Sequence, residues 1–257
     1  MITSTANTKI KQLLKIMKKS KERTAAGEFI AEGMKMFEEA PKDAVKEVYV
    51  SESFTKNQAR GSEWRRFPHE ILSDRVFECV SDTKTPQGIL TVIKTHTYSP
   101  SQFYLSQNGC YLFLENIQDP GNLGTMIRTG EGAGISGIII SRDSADPYQP
   151  KTIRSTMGSI YRVPILIAED FILEVENARA MGICIYAAHL EGSRLYDSAD
   201  YRGSCGFLIG NEGNGLTDEA VAGSDDRIRI PMSGQVESLN AAIAATVLMY
   251  EMNRQRR

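Results

Sequence analysis

The sequence predicts an α/β protein in which a mostly parallel, covered sheet follows a smaller α/β region. From Cys110 onward, short apolar segments of strand length alternate with segments of helical periodicity. The first 95 residues show a less regular order of elements, typical of a small α/β unit. A polar segment that contains Pro100 separates the two regions. We therefore expect domains at residues 1–95 and 109–257 of the 257-residue chain, joined by a linker at 96–108.

Residues 7–23 predict a basic helix, because apolar residues recur at helical spacing with lysines between them, and Gly27 ends it. A strand at 29–31 follows, and then a helix from Met34 that Pro41 terminates. Alternating patterns predict further strands at 45–50 and 87–93.

The first 24 residues carry seven basic side chains and one acidic side chain, although the whole chain has a net charge of −2. Such a local basic stripe has two interpretations, which the residues alone leave open. It fits an anionic polymer as partner, and it also fits the solvated face of an ordinary amphipathic helix. The basic residues concerned include Lys9, Lys11, Lys15, Lys18, Lys19 and Arg23.

After the linker, strands and helices alternate in the pattern of a parallel sheet. Gly134 is expected to stop the first helix of this region. The predicted strands are 111–114, 136–140, 163–167, 183–187, 207–209 and 228–232, and the predicted helices are 122–133, 151–157, 171–181 and an apolar one at 241–250.

Cysteine usage and the N-terminal residues indicate a cytoplasmic protein. The four cysteines are scattered without a C-x-x-C pair, which argues against a zinc site and a disulfide framework. We expect each to be a small buried hydrophobe. The first residues contain no apolar segment typical of a secretory signal, and the longest apolar run is too short to cross a bilayer.

Three polar loops follow predicted strands, where open α/β sheets bind ligands. The first contains Asn122 and Arg128, the second is the glycine-rich segment 210–216 (GNEGNGL) with Glu212, and the third contains Ser238 and Asn240. Each has an ordinary alternative. Asn122 or Ser238 fits a helix cap, Arg128 fits a surface charge, and Glu212 fits a solvated acid in a turn. Together they favour a convergent polar site.

These segments resemble the three motifs of the SpoU (TrmH-type) RNA 2′-O-ribose methyltransferases of the SPOUT superfamily. The matching residues are 122–124 (NLG) with Arg128, 210–216, and 230–232 (IPM) with 238–240 (SLN), together with 146–148 (DPY). The resemblance covers the chain from about residue 110 to its end. More weakly, residues 9–13 and 29–33 resemble the ribosomal-protein-like RNA-binding domain that precedes many such enzymes.

The resemblance implies a SPOUT domain with a deep trefoil knot, which base rates alone would argue against. It also implies S-adenosylmethionine as methyl donor, bound in a bent form on the knot's loops. The expected donor-pocket residues are Ala187, Leu208, Ile209, Gly210, Ile230, Met232 and Leu239. The expected catalytic residues are Asn122, Arg128, Glu212, Ser238 and Asn240, and no metal is expected.

The implied activity is 2′-O-methylation of a ribose in RNA. The N-terminal resemblance favours ribosomal RNA, with transfer RNA or a non-catalytic RNA-binding role as alternatives. We expect Arg128, a guanidinium that stays protonated, to bind a phosphate and stabilise charge on the ribose oxygen rather than act as a base. Glu212 would orient Asn122, Arg128 or the ribose. The family forms homodimers through the final helix, whose alternative is an ordinary core helix in a monomer.

Overall fold

The computed structural model describes residues 1–57, 62–190 and 194–257. The chain divides into two compact units. The first unit comprises residues 1–96 and 146–161, and the second comprises residues 97–145 and 162–257. Each unit contains one β-sheet.

The first 96 residues form helices around a four-stranded sheet of order β1-β4-β2-β3, in which β2 and β3 are parallel and the other pairs antiparallel. The elements are α1 (Thr8–Lys18), α2 (Ser20–Ala26), β1 (Glu28–Glu32), α3 (Met34–Glu39), β2 (Val45–Ser51), α4 (Glu52–Lys56), β3 (His69–Leu72), α5 (Asp74–Val80) and β4 (Ile89–Lys94).

The rest of the chain alternates strands and helices. Its elements are α6 (Pro100–Phe103), β5 (Cys110–Leu114), α7 (Pro120–Ala133), β6 (Gly137–Ser141), α8 (Pro150–Thr156), β7 (Ile165–Ala168), α9 (Phe171–Ala180), β8 (Cys184–Ala188), β9 (Arg194–Leu195), β10 (Cys205–Ile209), α10 (Asp218–Ala222), β11 (Asp226–Arg229) and α11 (Ala241–Gln255).

The predicted continuous helix at 7–23 is wrong, because the chain breaks it into α1 and α2. Lys19 adopts an extended conformation, with φ −124° and ψ 118°, between the two helices. Four apolar residues of α1 are buried in one core cluster, namely Ile10, Leu13, Ile16 and Met17. Their packing fixes the position of α1 in the first unit. Gly27 ends α2 in the left-handed conformation.

The second unit is built on a seven-stranded sheet of order β7-β6-β5-β10-β8-β11-β9 in which every pair is parallel. All five residues of β5, β6 and β10 are buried. Strands buried on both faces are typical of a parallel sheet covered by helices, so the predicted α/β class is confirmed. Gly134, with φ 79°, ends α7 as expected.

The segment 146–161 groups with the first unit, although it follows β6 of the second unit along the chain. Its helix α8 packs against β1. The ring of Phe29 lies 5.1 Å from that of Tyr148 and 6.2 Å from that of Tyr161. The first unit therefore extends beyond the predicted domain at residues 1–95.

Candidate active site

The site lies where strands of the parallel sheet end. β5 and β10 are neighbours in register, with Leu114 opposite Ile209, so the loops that follow them leave the sheet side by side. The carboxyl ends of parallel strands are the usual place for a ligand in such sheets. The third loop follows β11 and ends at Asn240, the N-cap residue of α11.

The glycine-rich loop closes on itself immediately after β10. The backbone N–H of Asn211 donates to the carbonyl of Gly215, and the N–H of Gly215 donates back to Asn211, both at 2.9 Å. A Cβ at Gly210 would lie 2.1 Å from the carbonyl carbon of Gly215 and 2.2 Å from the nitrogen of Leu216. Glycine is therefore required at position 210 for the two backbone segments to approach.

Two further residues anchor this loop to the end of β5. The buried carboxylate of Glu115 accepts hydrogen bonds from the N–H of Thr217 at 2.8 Å and from its hydroxyl at 2.7 Å. The side-chain amide of Asn211 donates to the carbonyl of Asn116 at 2.7 Å. Sequence reasoning missed Glu115 and Thr217, although an acid at the end of a fully apolar strand is a usable signal of a buried partner.

The predicted catalytic residues Glu212, Asn122 and Asn240 form one hydrogen-bonded cluster. The side-chain amide of Asn122 donates to Glu212 at 2.9 Å, and its oxygen accepts from the amide of Asn240 at 3.1 Å. The N–H groups of Gln118 and Asp119 also donate to Glu212, at 3.1 and 3.3 Å. Three loops are thus joined through side chains, as the convergent-site prediction requires.

The pKa of Glu212 is held below its usual value. Partial burial acts to raise this pKa, but the hydrogen bonds from Asn122 and from the N–H groups of Gln118 and Asp119 stabilise the carboxylate and lower it overall. Glu212 is therefore ionised at neutral pH and acts as a hydrogen-bond acceptor for Asn122.

Capping assignments remove two of the ordinary alternatives. Asp119 caps α7, accepting from the N–H of Asn122 at 2.8 Å, so the side chain of Asn122 is not the cap. Asn240 caps α11, accepting from the N–H groups of Ala242 and Ile243, so Ser238 is not the cap. The side-chain oxygen of Asn240 therefore caps α11, while its amide nitrogen donates to Asn122 in the cluster.

Arg128 and Ser238 are exposed and stay outside this hydrogen-bonded cluster. Within residues 1–57, 62–190 and 194–257, no side chain pairs with the guanidinium of Arg128 or hydrogen bonds to the hydroxyl of Ser238. Because no carboxylate of the described residues pairs with it, the guanidinium of Arg128 is free to bind an anion from outside the chain.

A cavity of about 490 Å³ lies beside the cluster, in the second unit. Five of the seven predicted donor-pocket residues line it, namely Ile209, Gly210, Ile230, Met232 and Leu239. Ser238 also lines it, and so does Glu212, through which the polar cluster borders the cavity. The prediction missed other lining residues, including Ala188, His189, Leu190, Leu216, Arg229 and Leu248.

The other two predicted donor-pocket residues, Ala187 and Leu208, do not line the cavity. They lie opposite each other in β8 and β10, are fully buried, and pack into the core with residues such as Phe113 and Ile185. Side chains alternate between the faces of a strand, so the next residues along, Ala188 and Ile209, reach the cavity instead. Ala187 and Leu208 are thus the immediate chain neighbours of residues that line the cavity.

The basic residues of the N-terminal region fall into two groups. The side chains of Lys11, Lys15, Lys18 and Lys19 are exposed and form no hydrogen bond or ion pair with any residue that the structure describes. Lys9 instead donates to Glu47 at 2.6 Å and to Glu70 at 2.8 Å, contacts that raise its pKa.

Arg23 does not fit its predicted role in RNA binding. Only 7% of the residue is exposed, and its guanidinium binds the carboxylate of Asp146 and the carbonyls of Ile16 and Met17. A buried charge is retained when it is paired and hydrogen-bonded in this way, so Arg23 braces the first unit.

Every helix among the described residues is too short or too polar to cross a bilayer. In the same part of the chain, no three His, Cys, Asp or Glu side chains are grouped so as to hold a metal ion.

Comparison with known proteins identifies the family to which this chain is similar. Residues 109–250 match the SpoU rRNA Methylase family, and residues 7–91 match the MRM3-like substrate binding domain. The 23S rRNA (guanosine(2553)-2′-O)-methyltransferase RlmP of Bacillus subtilis (strain 168) is 33% identical over 261 residues, covering 98% of each chain.

Solved structures agree over nearly the whole chain. An AdoMet-bound rRNA methyltransferase from Sinorhizobium meliloti has a TM-score of 0.84 and 30% identity, covering 98% of this chain and 97% of that one. The SpoU methyltransferase AviRb from Streptomyces viridochromogenes, in complex with AdoMet, has a TM-score of 0.85 and 26% identity, covering 97% and 98%. The chain therefore belongs to the SpoU rRNA methylase family, as its three loop motifs predict.

Proposed function

We propose that this protein transfers a methyl group from S-adenosylmethionine to the 2′-hydroxyl of a ribose in ribosomal RNA. The observation that carries the proposal is the shared boundary between the Glu212–Asn122–Asn240 cluster and the 490 Å³ cavity. Methyl transfer needs a donor pocket and a polar site for the acceptor at one place, because reacting atoms must be held at near-attack distance.

The cavity fits S-adenosylmethionine in size and lining. Its volume lies in the range of about 300–1,000 Å³ that is usual for small-molecule sites. Ile209, Ile230 and Leu239 provide apolar walls for a nucleoside, and the loop at Gly210 exposes backbone groups for its polar edges. When bound, this donor supplies an activated methyl group on a sulfonium sulfur. The AdoMet complexes of two relatives support the assignment.

The polar residues then divide the work on the acceptor. Glu212 and Asn240 hold the side-chain amide of Asn122 from both ends, which fixes its orientation beside Glu212, a residue that lines the cavity. Arg128 carries a free guanidinium, which binds a phosphate of the RNA and stabilises negative charge on the ribose oxygen as its proton passes to solvent water and the oxygen takes the methyl group. Ser238 lines the cavity and offers a hydroxyl to the ribose.

The RNA-binding part of the proposal rests on residues 1–95, with Lys11, Lys15, Lys18 and Lys19 contacting the phosphate backbone. Residues 109–257 form the methyltransferase domain, with 96–108 as linker. Ribosomal RNA is preferred over transfer RNA because two of the relatives described above, which match this chain almost from end to end, are named as rRNA methyltransferases. Such an enzyme would work in the cytoplasm.

The knot and the homodimer that the resemblance implies remain part of this proposal. The strand order supports a knot, since β10 is inserted between β5 and β8, which precede it in the chain. Support for a dimer through α11 comes from Ile243 and Tyr250, which are 50% and 43% exposed on a helix that is otherwise largely apolar.

Transfer of labelled methyl groups tests the function directly. The purified protein and labelled S-adenosylmethionine are incubated with ribosomal RNA, or with transfer RNA, from cells that lack the protein. We expect label in ribosomal RNA, resistant to alkali because a methylated 2′-hydroxyl blocks strand cleavage. Label in transfer RNA alone would favour the alternative substrate. Donor binding without transfer to either RNA would favour a non-catalytic RNA-binding protein.

A further inference from the structure

A second cavity, of about 500 Å³, lies in the first unit among the ends of α1 and α5 and the start of α8. Four basic side chains and one acidic side chain line it: Lys18, Arg23, Lys151 and Arg154 against Asp82. The whole chain has a net charge of −2, so this positive charge is a local feature of the cavity. None of its lining residues belongs to the cavity beside Glu212.

Arg23 holds the walls of this cavity in place. From Nη1 it donates to the carbonyls of Ile16 and Met17, at 2.8 and 2.9 Å, in the last turns of α1. From Nε and Nη2 it donates to the carboxylate of Asp146, at 2.9 and 2.6 Å. Asp146 in turn accepts from the N–H of Tyr148, just before α8. Charge-assisted bonds thus connect two walls, and the cavity is preformed.

Two of the cations are available to an anion. Lys18 is exposed and forms no hydrogen bond or ion pair within the described part of the chain. Arg154 forms an ion pair with Asp82 at 2.6 Å, but the two side chains are 36% and 46% exposed. Such exposed ion pairs contribute little to stability, so Arg154 can turn to a phosphate at little cost.

The remaining lining is mixed. Ser81 and Gln149 are polar, whereas the buried Met17 and the half-buried Leu14 add apolar surface. A cavity of this size is larger than a phosphate group requires and lies in the range of nucleotide-sized ligands. Cationic and apolar side chains that line one cavity match a phosphate joined to a nucleoside.

We propose that this cavity binds one nucleotide of the RNA substrate, with its phosphate held by Lys18 and Arg154 and its nucleoside against Leu14 and Met17. The inference rests on the proposed function for the RNA substrate, and it adds residues of α8 to the RNA-binding surface. Recognition through a phosphate positions the RNA without reading its sequence.

Cys79 provides a reporter within the cavity, because it lines the cavity and is an exposed free thiol. The rate of its alkylation by a maleimide is measured by peptide mass spectrometry on the full chain, with and without ribosomal RNA from cells that lack the protein. At an RNA concentration of about ten times Kd, we expect roughly tenfold slower alkylation. In the Lys18→Gln/Arg154→Gln variant at the same RNA concentration, we expect this protection to be largely lost.

The salt dependence of RNA binding gives a second readout of the same contacts. The double variant should lower the slope of log K against log salt by roughly 0.7–0.9, the value for one phosphate that is no longer neutralised. The matched control Lys35→Gln/Lys56→Gln removes the same charge from exposed ion pairs elsewhere in the first unit and should leave the slope nearly unchanged. Equal slopes for both variants, or equal Cys79 reactivity with and without RNA, would overturn the proposal.

Methyl transfer by the wild-type protein to the same RNA is measured alongside. Normal transfer with unprotected Cys79 contradicts the cavity proposal alone. Protected Cys79 without any transfer supports the cavity and contradicts the proposed function.

Discussion

The active-site loops and the basic face of α1 use polar side chains in opposite ways. In the loops, Glu212, Asn122 and Asn240 hold one another through hydrogen bonds near 3 Å, and backbone N–H groups fix the carboxylate further. Along α1, the side chains of Lys11 and Lys15 are exposed and have no hydrogen-bond or ion-pair partner among the described residues. Chemistry needs groups held in fixed geometry, whereas contact with an RNA backbone needs mainly charge.

The largest expected effect comes from Arg128. It is exposed and positively charged like the lysines of α1, but it lies among the active-site loops. Arg128→Ala should lower kcat by about 10²–10³, the usual cost of removing one stabilising donor at a developing oxyanion. The Kd for S-adenosylmethionine, measured by calorimetry, should stay within about twofold. Arg227→Ala removes an exposed arginine elsewhere in the second unit and serves as control. Wild-type turnover by Arg128→Ala would remove this residue from the mechanism.

Gly210→Ala tests the fixed geometry of the glycine-rich loop. The new Cβ would lie 2.1 Å from a backbone carbon of Gly215, so the loop must shift. Overpacking of this kind costs about 1–3 kcal/mol, which corresponds to roughly 5- to 150-fold weaker donor binding. Gly234→Ala, where a Cβ meets nothing within 4 Å, is the control. Unchanged donor affinity in Gly210→Ala would contradict the assignment of the cavity.

Glu212→Gln preserves the shape of the side chain and removes its charge. Three donors, from Asn122, Gln118 and Asp119, would then share a weaker acceptor, and the Asn122 amide would lose its fixed orientation. We expect kcat to fall by roughly tenfold to 10², because small misplacements near the reacting atoms are costly. Steady-state kinetics on ribosomal RNA measures this. A fall in donor affinity with normal kcat would assign Glu212 to the donor instead.

The smallest effects are expected on α1, where each lysine acts alone. Lys15→Ala should weaken RNA binding a few-fold and lower the salt slope by about 0.7–0.9. Lys9→Ala is the matched comparison, since the charge of Lys9 is already neutralised by Glu47 and Glu70. It should change the slope less. RNA binding is measured by filter binding. If both variants lose the same RNA affinity and salt slope, the ion pairs with Glu47 and Glu70 do not keep Lys9 from contacting RNA.

The predicted site residues that lie in the loops rest on local signals. Gly210, Glu212 and Asn240 lie in short segments whose composition is unusual after a strand, and family resemblance fixes their order. Donor-pocket residues inside strands are less predictable. Ala187 and Leu208 were placed one residue away from the side chains that line the cavity, because an all-apolar strand carries no alternation to mark its two faces.

Features that depend on tertiary packing leave no mark in the sequence. The break at Lys19 has no glycine or proline beside it to mark it. The grouping of 146–161 with the first unit depends on contacts between distant segments, such as the ion pair of Arg23 with Asp146. That pair also turned a predicted RNA contact into a buried brace, which charge counting along α1 could not have anticipated.

The central claim is that Arg128 and the Glu212 cluster form a ribose methylation site beside the donor cavity. Mapping of 2′-O-methyl groups in ribosomal RNA, from cells that lack the protein and from cells that regain it, tests this claim most directly. We predict one ribose position that loses its methyl group, recovers it with the wild-type protein, and stays unmethylated with Arg128→Ala. An identical methylation map in all these cells, or full recovery with Arg128→Ala, would contradict the account.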